Sequence, residues 1–256
     1  MSNRVVVALL LAVVASDAVH AQGRGGRGGA AAPAAPPQTA RAAAPSRDLT
    51  GYWVSVVAEH WHLRMLVPPK GDFSMLPLNA EARRIADTWD PTKEAASGEE
   101  QCKSYGAAAI MRVPGRLHIQ WMDDNTLKMD IDSGTQTRLL HFGGAPTANQ
   151  PRDWQGYSVA NWQQEGRGEI RHLRVITTNM RAGYLRKNGV PYSESARLEE
   201  HFDRFTEPNG DEWLVVDSIV TDPTYLTQPY LTSESFKKIA DASGWDPTPC
   251  RADQPR

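Results

Sequence analysis

Residues 113–142 constrain the fold more than any other stretch, because apolar and polar side chains alternate through them. Leu117, Ile119 and Trp121 alternate with polar residues, an Asp-Asp-Asn turn follows, and a second alternation begins at Leu127. A Ser-Gly pair then opens a third. Such alternation, broken by turn residues, predicts an antiparallel β-meander, since successive strand side chains point to opposite faces. One face of this sheet must be covered or closed upon itself.

The pattern continues through the C-terminal half, where four further segments favour extended structure. Together with a first strand at Gly51-Tyr52-Trp53 and the three meander strands, they give about eight strands. Eight is the number at which a barrel can hold one small ligand. We therefore predict an all-β, antiparallel, up-and-down barrel. The four segments are residues 156–163, 169–179, 196–206 and 212–221.

One short helix is expected at about residues 79–89. Asn79 can cap it, Glu81 favours its first turn, and Ala82, Ile85 and Trp89 lie on one apolar stripe. A helix of this length beside a barrel is expected to support the structure.

The N-terminal residues predict an exported protein. Arg4 precedes an apolar run, and small residues before Gln22 suit cleavage after Ala21. We predict a signal peptide at residues 1–21, a disordered Gly/Arg/Ala/Pro-rich spacer at residues 22–48, and a β-barrel domain at residues 49–256. The expected location is periplasmic or secreted, with no transmembrane segment.

The charge of the predicted domain bears on nucleic-acid binding, and its cysteine content bears on disulfide formation. Residues 1–47 hold five of the 28 basic and one of the 30 acidic residues, so the remainder carries 23 minus 29, or −6. An acidic domain argues against nucleic-acid binding, which needs clustered Lys and Arg. Cys102 and Cys250 are the only cysteines and are expected to form one disulfide, with a catalytic thiol as the alternative.

A possible metal pair lies at His60 and His62. Two His at positions i and i+2 of a strand share one face, and imidazoles are good ligands for zinc, copper or iron. The Glu and Gly that a cupin would add are absent from the following residues. We favour two pocket-facing or solvated His, and expect no metal and no cofactor.

Two resemblances add to this interpretation. Gly51-Tyr52-Trp53 resembles the opening of lipocalin-type (calycin) barrels, in which the Trp closes the floor. Residues 189–194, Gly-Val-Pro-Tyr-Ser-Glu, and residues 220–225, Val-Thr-Asp-Pro-Thr-Tyr, resemble a group of uncharacterised exported bacterial proteins. That group has His where this chain has Tyr192 and often Trp where it has Tyr230. It implies no activity.

Strand alternation indicates which polar residues face the interior. Glu200 and Arg204 lie on the face that carries Leu198 and Phe202. A buried charge must be paired, so we expect a partner for Glu200 among Arg138, Arg174 and His172.

Three functions stay open. The first is binding of a small, partly apolar, anionic molecule inside the barrel. The second is a cofactor-independent lyase or isomerase with Glu200 as base and His172 as acid. The third is a structural or envelope-interaction protein without a cavity. The loop at residues 180–195 is the expected pocket mouth. The predicted ligand-binding residues are Arg138, Arg174, Arg204, Trp53, Trp121, Trp213, Tyr184 and Tyr192.

Overall fold

The structure of the protein is a computed structural model that describes residues 39–45, 48–166 and 169–256. The predicted signal peptide and most of the predicted spacer lie outside the described residues. None of the described helices is long and apolar enough to cross a membrane.

Nine of the eleven described strands form a closed barrel. Around the wall the order is β1-β11-β10-β9-β6-β5-β4-β3-β2, and β7 and β8 form a separate hairpin. The predicted β-barrel is confirmed in its coarse form. The strands are β1 (Gly51–Val56), β2 (Arg116–Asp123), β3 (Thr126–Ile131), β4 (Gln136–His141), β5 (Tyr157–Glu165), β6 (Glu169–Thr178), β7 (Gly183–Arg186), β8 (Val190–Tyr192), β9 (Arg197–Thr206), β10 (Glu212–Thr221) and β11 (Tyr230–Ile239).

Two features differ from the expected up-and-down arrangement of about eight antiparallel strands. β4 and β5 pair in parallel through Leu140↔Ser158 and His141↔Val159. The long connection at residues 142–156 permits this, because parallel neighbours need a crossover of a dozen or more residues. The ninth strand, β11, was not expected.

The strand registers point one side chain in two into the barrel, where most of them form a packed core. Trp53, Ile119, Leu127, Leu173 and Phe202 are fully buried in one cluster. Because these side chains are closely packed, large-to-small substitutions among them are expected to lower the free energy of unfolding.

Short helices connect the first two strands. The predicted helix is present: α2 begins after Asn79, whose side chain accepts a 2.9 Å hydrogen bond from the amide of Ala82. It ends earlier than expected, because Pro91 opens a separate helix capped by Asp90. The helices are α1 (Trp61–Arg64), α2 (Ala80–Ala86), α3 (Pro91–Ala95) and α4 (Ala107–Ile110), with a 3-10 helix at Gly98–Tyr105.

A disulfide holds the C-terminal tail, as the sequence predicts. Cys102 and Cys250 are joined with a Cα–Cα distance of 5.1 Å. Lys187, in the turn of the β7–β8 hairpin, adds a second attachment: its Nζ donates to the carbonyl of Gln254 at 2.6 Å and to the hydroxyl of Tyr105 at 2.5 Å. The tail is therefore part of the packed domain.

Candidate functional site

The pairing around the barrel wall is incomplete where β1 ends before β11 does. β1 pairs with β11 from Tyr52↔Ile239 to Val56↔Ser235 only, whereas β10 stays paired with β11 as far as Tyr230. Past Val56 the chain turns away, and His60 adopts a left-handed conformation (φ 50°) before α1. We call the uncovered edge of β11, residues 230–234, together with the facing residues 57–64, the seam.

A cavity of about 520 Å³ lies at the seam. It touches Glu234 and its arginine partners, which lie on the interior side of β11, and also Leu231 and Asp217, which alternate with the inward-facing residues. A cavity that reaches both sides of a strand must pass along its edge. The volume is in the usual range of small-ligand pockets, about 300–1,000 Å³.

Three arginines and one glutamate form the buried side of this cavity. The carboxylate of Glu234 lies 2.7 Å from Arg64 Nη1 and 2.9 Å from Arg112 Nη1. Arg186 is also buried, and its Nη2 donates to the carbonyl of Ser74 at 3.0 Å. The buried side therefore holds three positive charges and one negative charge, a formal excess of +2, while Glu59 and Asp217 on the exposed side bring the formal charge of the whole lining to zero. We refer to Arg64, Arg112, Arg186 and Glu234 as the arginine cluster.

Two donors of this cluster have no hydrogen-bond partner among the described residues. They are Nη2 of Arg64 and Nε of Arg186, on side chains that are only 6% and 4% exposed. A buried donor without a partner costs about 1–3 kcal/mol, and more on a charged group. Both atoms have almost no accessible surface of their own, although both residues line the cavity, so a ligand would reach these donors only after a shift of the side chain.

Burial alters the titration of the cluster. Desolvation lowers the pKa of Arg64 and of Arg186 from the ordinary value, and the ion pair with Glu234 only partly offsets this at Arg64. Desolvation likewise raises the pKa of Glu234. The shifts at Arg64 and Arg186 show poorly solvated guanidinium groups, which an anion in the cavity would stabilise, whereas the carboxylate of Glu234 would compete with that anion.

The outer part of the cavity is mainly apolar with an acidic margin. Leu63 is buried there, while Met75 and Leu231 are 63% and 65% exposed. The carboxylates of Glu59 and Asp217 also line it and are exposed. A guest with one anionic end and an apolar body fits this distribution of charge.

The predicted pair at Glu200 is present, but it does not line this cavity. Both carboxylate oxygens of Glu200 accept hydrogen bonds from Arg138, at 2.8 and 2.5 Å. Neither side chain is exposed, and Thr177 accepts from Arg138 at 3.3 Å. Of the three partners expected for Glu200, Arg138 is the one the structure selects. A catalytic base at Glu200 would need access that this packing does not give.

Three residues expected in the interior face outwards, because the β6–β9–β10 register places them opposite the buried positions. Arg174 binds Glu199 at 2.6 Å, and the ring of His172 lies 5.3 Å from that of His201. Trp213 pairs with Lys237, whose Nζ lies 6.0 Å from the indole centroid. The expectation that these residues line the barrel interior is therefore corrected.

The predicted residues Trp53, Trp121 and Arg204 close the end of the barrel at which β1 begins. Trp53 is fully buried and donates to the carbonyl of Leu49 at 2.9 Å. Trp121 donates to Asp48 at 2.8 Å. The guanidinium of Arg204 lies 5.8 Å from the Trp53 ring and 2.6 Å from Glu212. This end is filled by its own side chains.

Tyr184 and Tyr192 belong to the β7–β8 hairpin, where a long loop was expected. The hydroxyl of Tyr184 donates to Glu94. Tyr192 is fully buried, and its hydroxyl has no hydrogen-bond partner among the described residues. The hairpin packs into a second core cluster that also contains Leu198 and Val220, so residues 180–195 form a packed hairpin in place of the long loop that was expected. It contributes Arg186 to the seam cavity.

His60 and His62 do not share a strand face. His60 precedes α1 and His62 lies within it, because the chain leaves the sheet after Val56. Among the described residues, no group of three or more His, Cys, Asp or Glu is arranged to hold a metal ion. His60 lines the seam cavity, and His62 is exposed.

The seam residues were not identified from the sequence. Arg64 and Arg112 lie outside any strand, and Arg186 lies in the unexpected hairpin. The inward side chains of β11 include Thr232 and Glu234, which break the apolar alternation that marks a strand. Glu234 could have been recognised as inward-facing only if β11 had first been predicted as a strand.

Comparisons of this chain with protein-family models, with curated proteins and with solved structures find no match. The functional interpretation therefore rests on the geometry of the seam.

Proposed function

We propose that this protein is an exported binding protein for a small, partly apolar anion, which it holds in the seam cavity. The observation that carries this proposal is the arginine cluster: Glu234 contacts Arg64 and Arg112, and Arg186 lines the same open cavity of about 520 Å³. The buried side of the cavity is therefore positive, while Glu59 and Asp217 lie on its exposed margin, so the anionic end of a ligand is expected at the arginines.

The surroundings support the same class of ligand. Arg64, Arg112 and Arg186 line the cavity, and guanidinium groups bind carboxylates and phosphates with charge-assisted bonds. Met75, Leu63 and Leu231 provide apolar contact for the remainder of the ligand. The disulfide Cys102–Cys250 suits an oxidising compartment, in agreement with the predicted export.

The test is a binding titration with octanoate and benzoate, each paired with its neutral amide, by calorimetry at low salt. The acids are expected to bind and the amides to bind at least about tenfold more weakly, because a charge-assisted hydrogen bond contributes about 1.5–3 kcal/mol. Arg112→Gln should weaken the acids by a similar factor, while Glu234 keeps Arg64 as its partner. Arg174→Gln, on the outer surface, is the matched control and should leave binding unchanged.

Equal binding of acids and amides, or an equal loss in Arg112→Gln and Arg174→Gln, would contradict the proposal. Native mass spectrometry of the protein purified from its own host would add the mass of any retained molecule. A neutral molecule found in place of an anion would also count against it.

A further inference from the structure

The uncovered edge of β11 presents backbone groups to the cavity. In an antiparallel sheet the N–H and C=O of one residue point to the same neighbouring strand, and consecutive residues alternate between the two neighbours. Residues 230–234 pair with β10 but not with β1. Alternate residues of this segment therefore direct both groups into the seam, where no described strand accepts them.

Edge strands of this kind pair with another chain unless they are covered. At about 3.3 Å per residue, residues 230–234 offer roughly 16 Å of edge. The cavity borders all five of these residues. The cavity therefore lies where an additional strand paired with β11 would lie. Its volume limits such a strand to a few extended residues.

The charge at the seam selects which part of a peptide enters. The arginine cluster on the buried side carries a formal excess of +2, and its three arginines line the cavity. A free C-terminal carboxylate complements this positive side. Leu63, Met75 and Leu231 border the same cavity and suit an apolar final side chain.

We propose that the anion bound at the seam is the C-terminal carboxylate of an extended peptide, whose last residues add to β11 as a short strand. This inference rests on the proposed function and names its ligand class. A simple aliphatic anion satisfies the arginines but leaves the β11 edge unpaired, whereas a peptide satisfies both. Main-chain hydrogen bonds would supply affinity, and the terminal carboxylate and side chain would supply specificity.

A second copy of this chain is a poorer occupant. Pairing of two β11 edges would bring two arginine clusters, each with a formal excess of +2, towards one another. Like charges placed against each other in an interface disfavour association. Sedimentation of the protein over a range of concentrations is expected to show a monomer.

The experiment is fluorescence anisotropy with a labelled pentapeptide that ends in leucine, prepared in three forms. The forms are the free acid, the C-terminal amide, and the free acid with alternate backbone amides N-methylated. We expect the free acid to bind, and each of the other two forms to bind at least about tenfold more weakly. Octanoate should displace the free acid, Arg112→Gln should weaken it, and Arg174→Gln should not.

The outcomes separate this inference from the proposed function. If octanoate binds in an Arg112-dependent way while N-methylation has no effect on the peptide, the strand addition is wrong and the anion site stands. If neither octanoate nor the peptide binds, both proposals fail. A dimer that the peptide does not dissociate would assign the edge to a second copy and overturn the inference.

Discussion

Two buried glutamates face the inside of the same barrel, and their surroundings differ. Glu200 meets one arginine, Arg138, through both oxygens in a packed interior. Glu234 meets two, Arg64 and Arg112, beside a cavity that a third arginine also borders. The first group is balanced in charge and sealed, whereas the second is positive and open.

Unsatisfied donors alone do not distinguish the two groups. Nε of Arg138 is buried without a partner, as are Nη2 of Arg64 and Nε of Arg186. What separates them is the excess of positive charge and the adjacent space. A sealed, balanced pair sets the packing of the core, and an open, unbalanced cluster can receive a ligand. The comparison therefore supports the proposed ligand site at Glu234 and a structural role for Glu200.

The largest expected effect follows from breaking the sealed pair. Glu200→Gln leaves Arg138 charged in a packed interior and should destabilise the protein by about 3–5 kcal/mol. Urea denaturation measures this. The double variant Glu200→Gln/Arg138→Met, which removes both charges, should recover most of the loss. A loss below about 1 kcal/mol would mean that the pair is hydrated, and the contrast with Glu234 would disappear.

The same change at the open cluster should cost less. Glu234→Gln leaves Arg64 and Arg112 beside a cavity that water can enter, so we expect a loss of about 1.5–3 kcal/mol in urea denaturation. Although Glu234→Gln should lower stability, it should raise the affinity for octanoate. Removal of the competing carboxylate raises the formal charge of the cluster from +2 to +3, so octanoate should bind more tightly. Weaker binding would show that Glu234 positions the arginines for the ligand.

The sequence predicts the sealed group far better than the open one. Regular alternation places Glu200 on the face of Leu198 and Phe202, and an inward charge requires a partner, so Arg138 could be anticipated. Alternation works here because these strands have apolar inner faces.

The arginine cluster could not be predicted in this way, because its residues do not follow the alternation of apolar and polar side chains. β11 has Tyr230, Thr232 and Glu234 on its inner face, so its alternation is polar where the site lies. Arg64 and Arg112 reach Glu234 from non-strand segments far away in sequence. Local patterns do not contain such contacts, and functional sites are where consistency between pattern and fold fails.

The patterned motif at residues 189–194 and 220–225 has a structural role in the fold. Asp222 accepts hydrogen bonds from the amide and the hydroxyl of Ser193, both at 2.7 Å. Gly189 has a positive φ of 80° and packs against Trp89. The motif therefore joins the β7–β8 hairpin to the turn after β10.

Lys187 follows Arg186 in sequence and is also buried, so the two residues allow a buried lysine to be compared with a buried arginine. Burial lowers the pKa of Lys187 to about 7, so this lysine can lose its charge, whereas arginine stays charged. Between that pKa and the ordinary value of 10.5, the unfolded chain binds more protons than the folded one. The free energy of unfolding should therefore rise with pH in this window.

The expected slope is at most about 1.4 kcal/mol per pH unit, the value for one proton. Urea denaturation at about pH 7.5 and 9.5 measures it, and Lys187→Met should flatten the slope. The window ends below the titration of Tyr105, whose pKa is raised to about 12 by burial. A slope that persists in Lys187→Met would show that another group is responsible.

The smallest expected effect on stability concerns the apolar margin of the seam. Leu231 is 65% exposed, so Leu231→Ser should change the free energy of unfolding by less than about 0.5 kcal/mol. If the seam binds the apolar part of a ligand, the same variant should weaken octanoate binding. Leu214 is fully buried, and Leu214→Ala should show the opposite profile, with a stability loss of about 2–5 kcal/mol and unchanged binding in the folded fraction. If the substitution of Leu231 lowers affinity without lowering stability, the fold does not require this side chain. That result is expected for a residue of a binding surface.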